Sequence, residues 1–334
     1  MLNAYGLGAP VAARRIERGH VDENWIVETG QGRYFVKRRH PRRHQSSQII
    51  QAQHDLITHL RQSGFPAPNL IPTSTGQSFL VLDGEVFEVG EVIEGDLFDH
   101  DRPEHLAAAA QNLGRYHLAV EGFEPQALSH AGPLYSPQNA RAALVRLCEA
   151  WQVGVDPDIG PLAQELEAQA AYLAERFNAH GPLPHLVIHG DYYAGNLLFR
   201  ADRVAGVVDY DKASWQPRVA ELAEALIYFS SPRPGYLRHL VYPGILEWEP
   251  FGRFLRSYAR EITMEDAEME ALPVYIACIW FTFSARRLVE HYPDSPPKAG
   301  VALHEVLQLG TWARAHASAL VGVARKVRRE EELL

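Results

Sequence analysis

Between Val187 and Asp211 the sequence twice runs from a short apolar segment into an acidic residue. The first is Val187-Ile188-His189-Gly190-Asp191, the second Val207-Val208-Asp209-Tyr210-Asp211, and Asn196 lies between them. Apolar segments this short, broken by polar turns, read as small strands whose ends display loop residues. The surroundings have another texture: Glu104 to Val120, Leu162 to Asn178, Ala220 to Phe229, Glu249 to Glu261, Glu265 to His291 and Val301 to Arg325 all carry apolar residues at helical spacing. The part of the chain after Gly95 is therefore predicted to be mainly helical, with acid-tipped strands set inside it.

Before Gly95 the pattern changes. Arg15 to Arg38 interleaves polar and apolar residues as strand, turn, strand, turn, strand, with breaks at Gly19 to Glu23 and at Gly30-Gln31-Gly32, which predicts a small antiparallel sheet. Gln48 to Gln62 places Ile49, Ile50, Leu56, Ile57 and Leu60 on one helix face, and Gly64, Pro66 and Pro68 end it. Ser78 to Leu82 and Glu85 to Val89 flank Asp83-Gly84, a strong hairpin signal. No internal repeat or low-complexity stretch interrupts this order. The expected organisation is α+β: an N-terminal sheet unit over 1–90, a hinge over 91–95 and a helical unit over 96–334.

The acidic residues and the asparagine match one kind of chemistry well. Phosphoryl transfer from ATP needs a carboxylate to orient an attacking hydroxyl and accept its proton, and oxygen ligands to hold Mg2+ against the phosphates. Asp191 fits the base, Asn196 and Asp209 the metal ligands, and Asp211 is a further candidate for metal or substrate. The loose transition state leaves mostly positioning and charge neutralisation to the protein, so a few oxygen ligands and one lysine suffice.

The same residues carry a resemblance. His-Gly-Asp, four residues, Asn, then Asp after a further short strand resembles the hallmark of the aminoglycoside phosphotransferase and choline kinase-like family, with type II homoserine kinases and stress-response kinases among its relatives. That resemblance implies a bilobal protein kinase-like fold, with Asp191 as catalytic base and Asn196 and Asp209 binding magnesium. It extends to the N-terminal part. Asp22-Glu23-Asn24-Trp25 resembles the family's phosphate-covering turn, which places Asn24 at the nucleotide, and Arg33-Tyr34-Phe35-Val36-Lys37 its third strand with the phosphate-binding Lys37. Glu91-Val92-Ile93-Glu94-Gly95 resembles the hinge, which implies that backbone groups of Glu91 and Ile93 meet the adenine edge. In many relatives a glutamate on the first helix orients this lysine. Here Gln53 or His54 stands there, a neutral partner that would hold Lys37 less firmly. Tyr275, Trp280, Phe281 and Phe283 read as packing the helical core, although the matching helix of the family borders the acceptor pocket, which makes Trp280, Arg286 and Arg287 secondary substrate candidates. His189 is expected to brace the loop.

Composition narrows the classes. The 334 residues with 46% hydrophobic content can fill a two-lobed core, and a net charge of -9 argues against nucleic acid as the main partner. Cys148 and Cys278 lie far apart in apolar helical patterns, which gives no support to a disulfide framework or thiolate zinc site and predicts reduced, buried thiols. Val274 to Phe283, the longest mainly apolar run, is about half the ~20 residues a bilayer span needs. The expectation is a cytoplasmic protein with no membrane partner, which uses ATP and Mg2+ on a small-molecule acceptor bearing a hydroxyl group. A Ser/Thr protein kinase and a silent kinase-shaped binding protein are the alternatives. His180, His185 and His189 with Asp191 could instead form a zinc or iron cluster, though their spacing matches no metal motif and leaves Asn196 and Asp209 without a role. The basic run Lys37 to His44 and the acidic stretch Glu265-Asp266-Glu268-Glu270 read as a solvated loop and a helix start. The oligomeric state is not encoded in any of these signals.

Overall fold

The computed structural model describes residues 1–17, 22–40, 46–128, 135–150, 160–177, 179–231, 246–291 and 299–332. Three strands, β1 (Pro10–Ile16), β2 (Glu23–Thr29) and β3 (Gly32–Arg38), form an antiparallel ladder, and β4 (Leu80–Leu82) and β5 (Glu85–Glu91) complete a five-stranded sheet in the order β1-β2-β3-β5-β4. The break expected from Gly19 falls mostly outside the described residues. Asp83 and Gly84 make the β4–β5 turn with φ of 54° and 81°, the left-handed pair that matches strand twist. Val27, Val36 and Val89 pack with Leu2, Tyr5 and Leu7 in a small cluster on this sheet.

Helix α1 (Ser47–Gln62) starts where the Ser46 hydroxyl accepts from the Ile49 amide at 3.3 Å, and it buries Ile50, Leu56, Ile57 and Leu60. That face joins the larger core of the helical lobe, together with Phe65 and Ala67. The chain then crosses to β6 (Asp96–Leu97), which pairs with β8 (Leu197–Arg200) beside β9 (Arg203–Val207), while β7 (His185–Ile188) pairs with β10 (Ser214–Pro217). Around these ribbons stand α2 (Pro103–Ala119), α3 (Pro137–Ala150), α4 (Gly160–Phe177), α5 (Arg218–Ser230), α6 (Trp248–Ala259), α7 (Asp266–His291), α8 (Ala299–Ala315) and α9 (Ala317–Glu331).

Two helical details go beyond the sequence reading. Helix α3 contains Cys148, which the sequence places inside an apolar helical pattern without drawing its bounds, and it buries Ala140, Ala143, Leu144 and Leu147 at helical spacing. The single helix expected over Val301 to Arg325 is two, divided at His316, whose ring bonds back to the Trp312 carbonyl at 2.9 Å. The acidic start of α7 is occupied by ion pairs: Glu268 with Arg218 in the buried interior, Asp266 with Arg328 at 2.9 Å, Glu270 with Arg325 at 3.0 Å. Helix α7 is long and apolar enough to cross a membrane by length and composition, and 71% of that stretch is buried inside the protein, against α3, α5, α8 and α9.

Candidate active site

The end of β7 and the end of β9 are stitched together by His189. Its Nε2 donates to the Val208 carbonyl at 3.1 Å, and its Nδ1 accepts from the Asp191 amide at 3.2 Å, a tautomer assigned from those partners. Gly190 must be glycine: its φ is +75°, and a Cβ there would stand 2.4 Å from the Lys212 carbonyl oxygen. The Gly190 amide donates to Glu221 Oε1 of α5 at 2.8 Å. Glu221 in turn meets His117 Nε2 at 3.0 Å, and His117 Nδ1 meets the Tyr258 hydroxyl at 2.8 Å. Burial outweighs Glu221 and holds His117 below its ordinary pKa. The neutral ring thus donates to Glu221 and accepts from Tyr258, and three helices fix the loop that carries Asp191.

Asp191 faces two partners. Lys212 Nζ lies 2.7 Å from Oδ1, and the Asn196 amide nitrogen donates to the Asp191 carbonyl at 2.9 Å and to Oδ2 at 3.3 Å. With its nitrogen so committed, Asn196 has its oxygen as the end left for a cation. Asp209 sits at φ 70°, a left-handed conformation that aspartate tolerates better than most residues and that clusters at functional sites.

Lys37, 7% exposed, gathers three carboxylates: Asp211 at 2.7 Å, Asp209 at 3.0 Å and Asp22 at 3.3 Å. Burial alone would lower its pKa, but Asp211 and Asp209 outweigh that and hold the ammonium well above the usual lysine range. Asp211 is likewise pushed up by burial and pulled below the usual carboxylate range by Lys37 and Arg39. Arg39 stands 3.1 Å from Asp211, pairs with Glu88 of β5 and donates to Gln53 at 3.0 Å, while Gln53 donates to the Asp211 carbonyl at 2.8 Å. The weak neutral hold expected of Gln53 or His54 on Lys37 is therefore corrected. The grip comes from carboxylates of the loops, and Gln53 serves Arg39 and Asp211 instead.

The remaining sequence-predicted residues divide. Asn24 lies opposite Lys37 in the β2–β3 register, and its side-chain oxygen is buried without a hydrogen-bond partner among the described residues. The Glu91 amide is committed to the Asn69 carbonyl at 2.9 Å, and Ile93 lies against β9, where a Cβ on Gly206 would come within 2.7 Å of it. Trp280 takes the core position of its first reading and not the secondary one of a substrate wall: it is 3% exposed and its indole donates to the Val306 carbonyl of α8 at 3.2 Å. Arg286 is exposed and pairs with Glu290 one turn on at 2.7 Å, while the side chain of Arg287 lies outside the described residues. His180 and His185 turn to the carbonyls of Gly181 and Leu183 at 2.9 Å, so they do not converge with His189 and Asp191 on a metal.

The cluster among the described residues that could hold an ion is Asp22, Asp209 and Asp211, whose ligand oxygens lie within 4.8 Å of one another. Carboxylates beside an asparagine oxygen are a hard-cation donor set and suit Mg2+ or Ca2+ rather than zinc. The cationic Lys37 beside this donor set makes the place fit a metal-bound polyphosphate. Sequence reasoning missed Asp22 as an acid of the site, Lys212 as the partner of Asp191, and Glu221.

A small antiparallel sheet hinged to a helical lobe, with acids on two adjacent loops between them, is the α+β, bilobal protein kinase-like fold. The model of the phosphotransferase enzyme family matches residues 12–272, and the chain belongs to that family. The homoserine kinase of Sinorhizobium medicae is 27% identical over 337 residues, covering 99% of this chain and 94% of that protein. The homoserine kinase of Methylobacillus flagellatus is 27% identical over 230 residues, and the match covers 67% of this chain and 66% of that protein. Among solved structures, an amicoumacin kinase bound to AMP-PNP and Ca2+ superposes with a TM-score of 0.68 at 15% identity, covering 93% of this chain and 92% of that one.

Proposed function

We propose that the chain transfers the γ-phosphoryl group of ATP to a hydroxyl of a small molecule, with magnesium as the metal and Asp191 as the base. The observation that carries this reading is that the buried Lys37 gathers Asp209, Asp211 and Asp22, while His189 ties the Asp209 segment to the loop on which Asp191 and Asn196 are bonded to each other. Asp209, Asp211, Asp22 and the Asn196 oxygen would hold magnesium, which supplies neutralisation of phosphate charge when bound. Lys37 adds a fixed cation to the same task. Of the hinge residues, backbone groups of Glu91 and Ile93 would meet the adenine edge, with Ile93 rather than Glu91 offering the amide, since the Glu91 amide is already taken.

Asp191 orients the acceptor hydroxyl and takes its proton. The hydroxyl oxygen forms a bond to the γ-phosphorus, the bond to the β–γ bridging oxygen breaks, and ADP departs. Lys212, 2.7 Å from Asp191, brings a positive charge to the reacting groups. The free thiols of Cys148 and Cys278 suit a cytoplasmic setting.

The homoserine kinase relatives make L-homoserine the first acceptor to test, beside simple sugars, other small alcohols and a serine/threonine peptide. ADP formation should rise above the acceptor-free rate with a small alcohol, stop when EDTA removes the metal and return with Mg2+. Asp209→Ala should lose magnesium-dependent nucleotide binding, measured by calorimetry. ADP formation indifferent to every small acceptor would refute the reading, and stimulation by the peptide alone would favour a protein kinase.

A further inference from the structure

Lys212 stands where the two halves of the site meet. It follows Asp211, which Lys37 and Arg39 hold at 2.7 and 3.1 Å, and its own Nζ lies 2.7 Å from Asp191 Oδ1. Its backbone is fixed on both sides. The Gln53 side chain donates to the Asp211 carbonyl at 2.8 Å, the Ala213 amide donates to the Tyr210 carbonyl at 3.0 Å, and Ser214 pairs with Ile188 in the β10–β7 ladder. The side chain beyond this anchor is 39% exposed, whereas that of Asp191 is 13% exposed. A long stem with a fixed root and a solvated tip can change partner while the backbone stays in place. Its hold on Asp191 is weak, because an exposed ion pair contributes little. While Lys212 remains on Oδ1, an acceptor hydroxyl must compete with a cation for that oxygen, and Oδ2 already takes the Asn196 amide at 3.3 Å.

Resting on the phosphotransferase reading above, we propose that Lys212 is a second phosphate-binding cation, which leaves Asp191 for the γ-phosphoryl group when the triphosphate binds and so frees Oδ1 for the acceptor hydroxyl. In-line transfer requires the γ-phosphoryl to lie between the metal ligands and the base. Lys212 follows those acids in sequence and meets the base in space, so it flanks that position. Lys37 is held by Asp211, Asp209 and Asp22 on the far side of the same cluster. A γ-phosphoryl carries more negative charge than one carboxylate and offers three oxygens, so the exchange of partner is favourable. A nucleotide without that group leaves the Lys212–Asp191 pair closed. During transfer the hydroxyl oxygen bonds to the γ-phosphorus, the bridging oxygen departs with the bonding pair as part of ADP, and the hydroxyl proton passes to Asp191. Lys212 stays protonated throughout and neutralises charge on the moving group.

The test titrates AMP-PNP and ADP by calorimetry in the presence of Mg2+ into the full chain, Lys212→Met and Lys212→Arg. Lys212→Met should weaken AMP-PNP at least about tenfold and ADP no more than about twofold, and Lys212→Arg should recover most of the AMP-PNP affinity. Single-turnover transfer from saturating Mg-ATP should fall at least about tenfold in Lys212→Met and recover in Lys212→Arg. Thermal unfolding without nucleotide should shift little in either variant, because the pair is exposed. Equal weakening of AMP-PNP and ADP in Lys212→Met, AMP-PNP binding unchanged there, or no recovery with arginine overturns the assignment. Failure of the native chain to bind either nucleotide would instead overturn the phosphotransferase reading.

Discussion

Lys37 and the carboxylates of Asp22, Asp209 and Asp211 are stable only together, because each would otherwise be a charge held away from water. Lys37→Met should therefore destabilise the fold by about 3 kcal/mol or more in denaturant unfolding, as removal of one partner from a buried ion pair does, and should weaken nucleotide binding as well. Glu88 of the adjoining network adds a pH dependence. Burial would raise its pKa, but His54 at 3.4 Å, Arg39 and Lys37 outweigh it and bring it down to about 2 from an ordinary 4.5. A carboxyl lowered on folding contributes stability that is fully present above its unfolded value and is lost as pH falls through its folded value. Stability should thus decline between about pH 4.5 and pH 2, by up to about 3 kcal/mol from this group. Glu88→Gln should flatten that limb in unfolding curves recorded across the range. An unaltered acid limb would remove Glu88 from the explanation.

Helix α5 organises the catalytic loop from behind, through Glu221 to the Gly190 amide and His117, and anchors itself through Arg218 to Glu268 of α7. Glu221→Ala leaves the amide and imidazole without an acceptor, so kcat should fall at least tenfold while KM for ATP changes little, with a stability loss of about 2 kcal/mol. Gly190→Ala meets both the left-handed backbone and the Lys212 carbonyl, and should cost about 2 kcal/mol or more in thermal unfolding. The acid-bearing strands were legible in the sequence because phosphoryl transfer demands fixed residue types at fixed spacing on a short loop. The roles of Asp22 and Lys212 were not, since each depends on approach across elements: Asp22 reaches Lys37 from before β2, and Lys212 folds back on Asp191. The strands β6 and β10 are too short to show a pattern.

The two lobes share their burden unevenly. The sheet keeps only a small cluster of its own around Val27, Val36 and Val89, while α1 commits its apolar face to the main core with α2, α5 and α7. Lys37 thus reaches Asp209 and Asp211 across the junction, and Gln53 and Arg39 tie the same junction through Asp211. The arrangement makes one cleft of residues drawn from both lobes, and the proposed function assigns the proton to one carboxylate in it, Asp191. Single-turnover transfer from Mg-ATP to the best acceptor, measured on the native chain and on Asp191→Asn at matched nucleotide saturation, addresses that assignment. The Asn variant should bind Mg-ATP within about twofold of the native chain and transfer phosphate at least about 100-fold more slowly. Transfer at the native rate would contradict it.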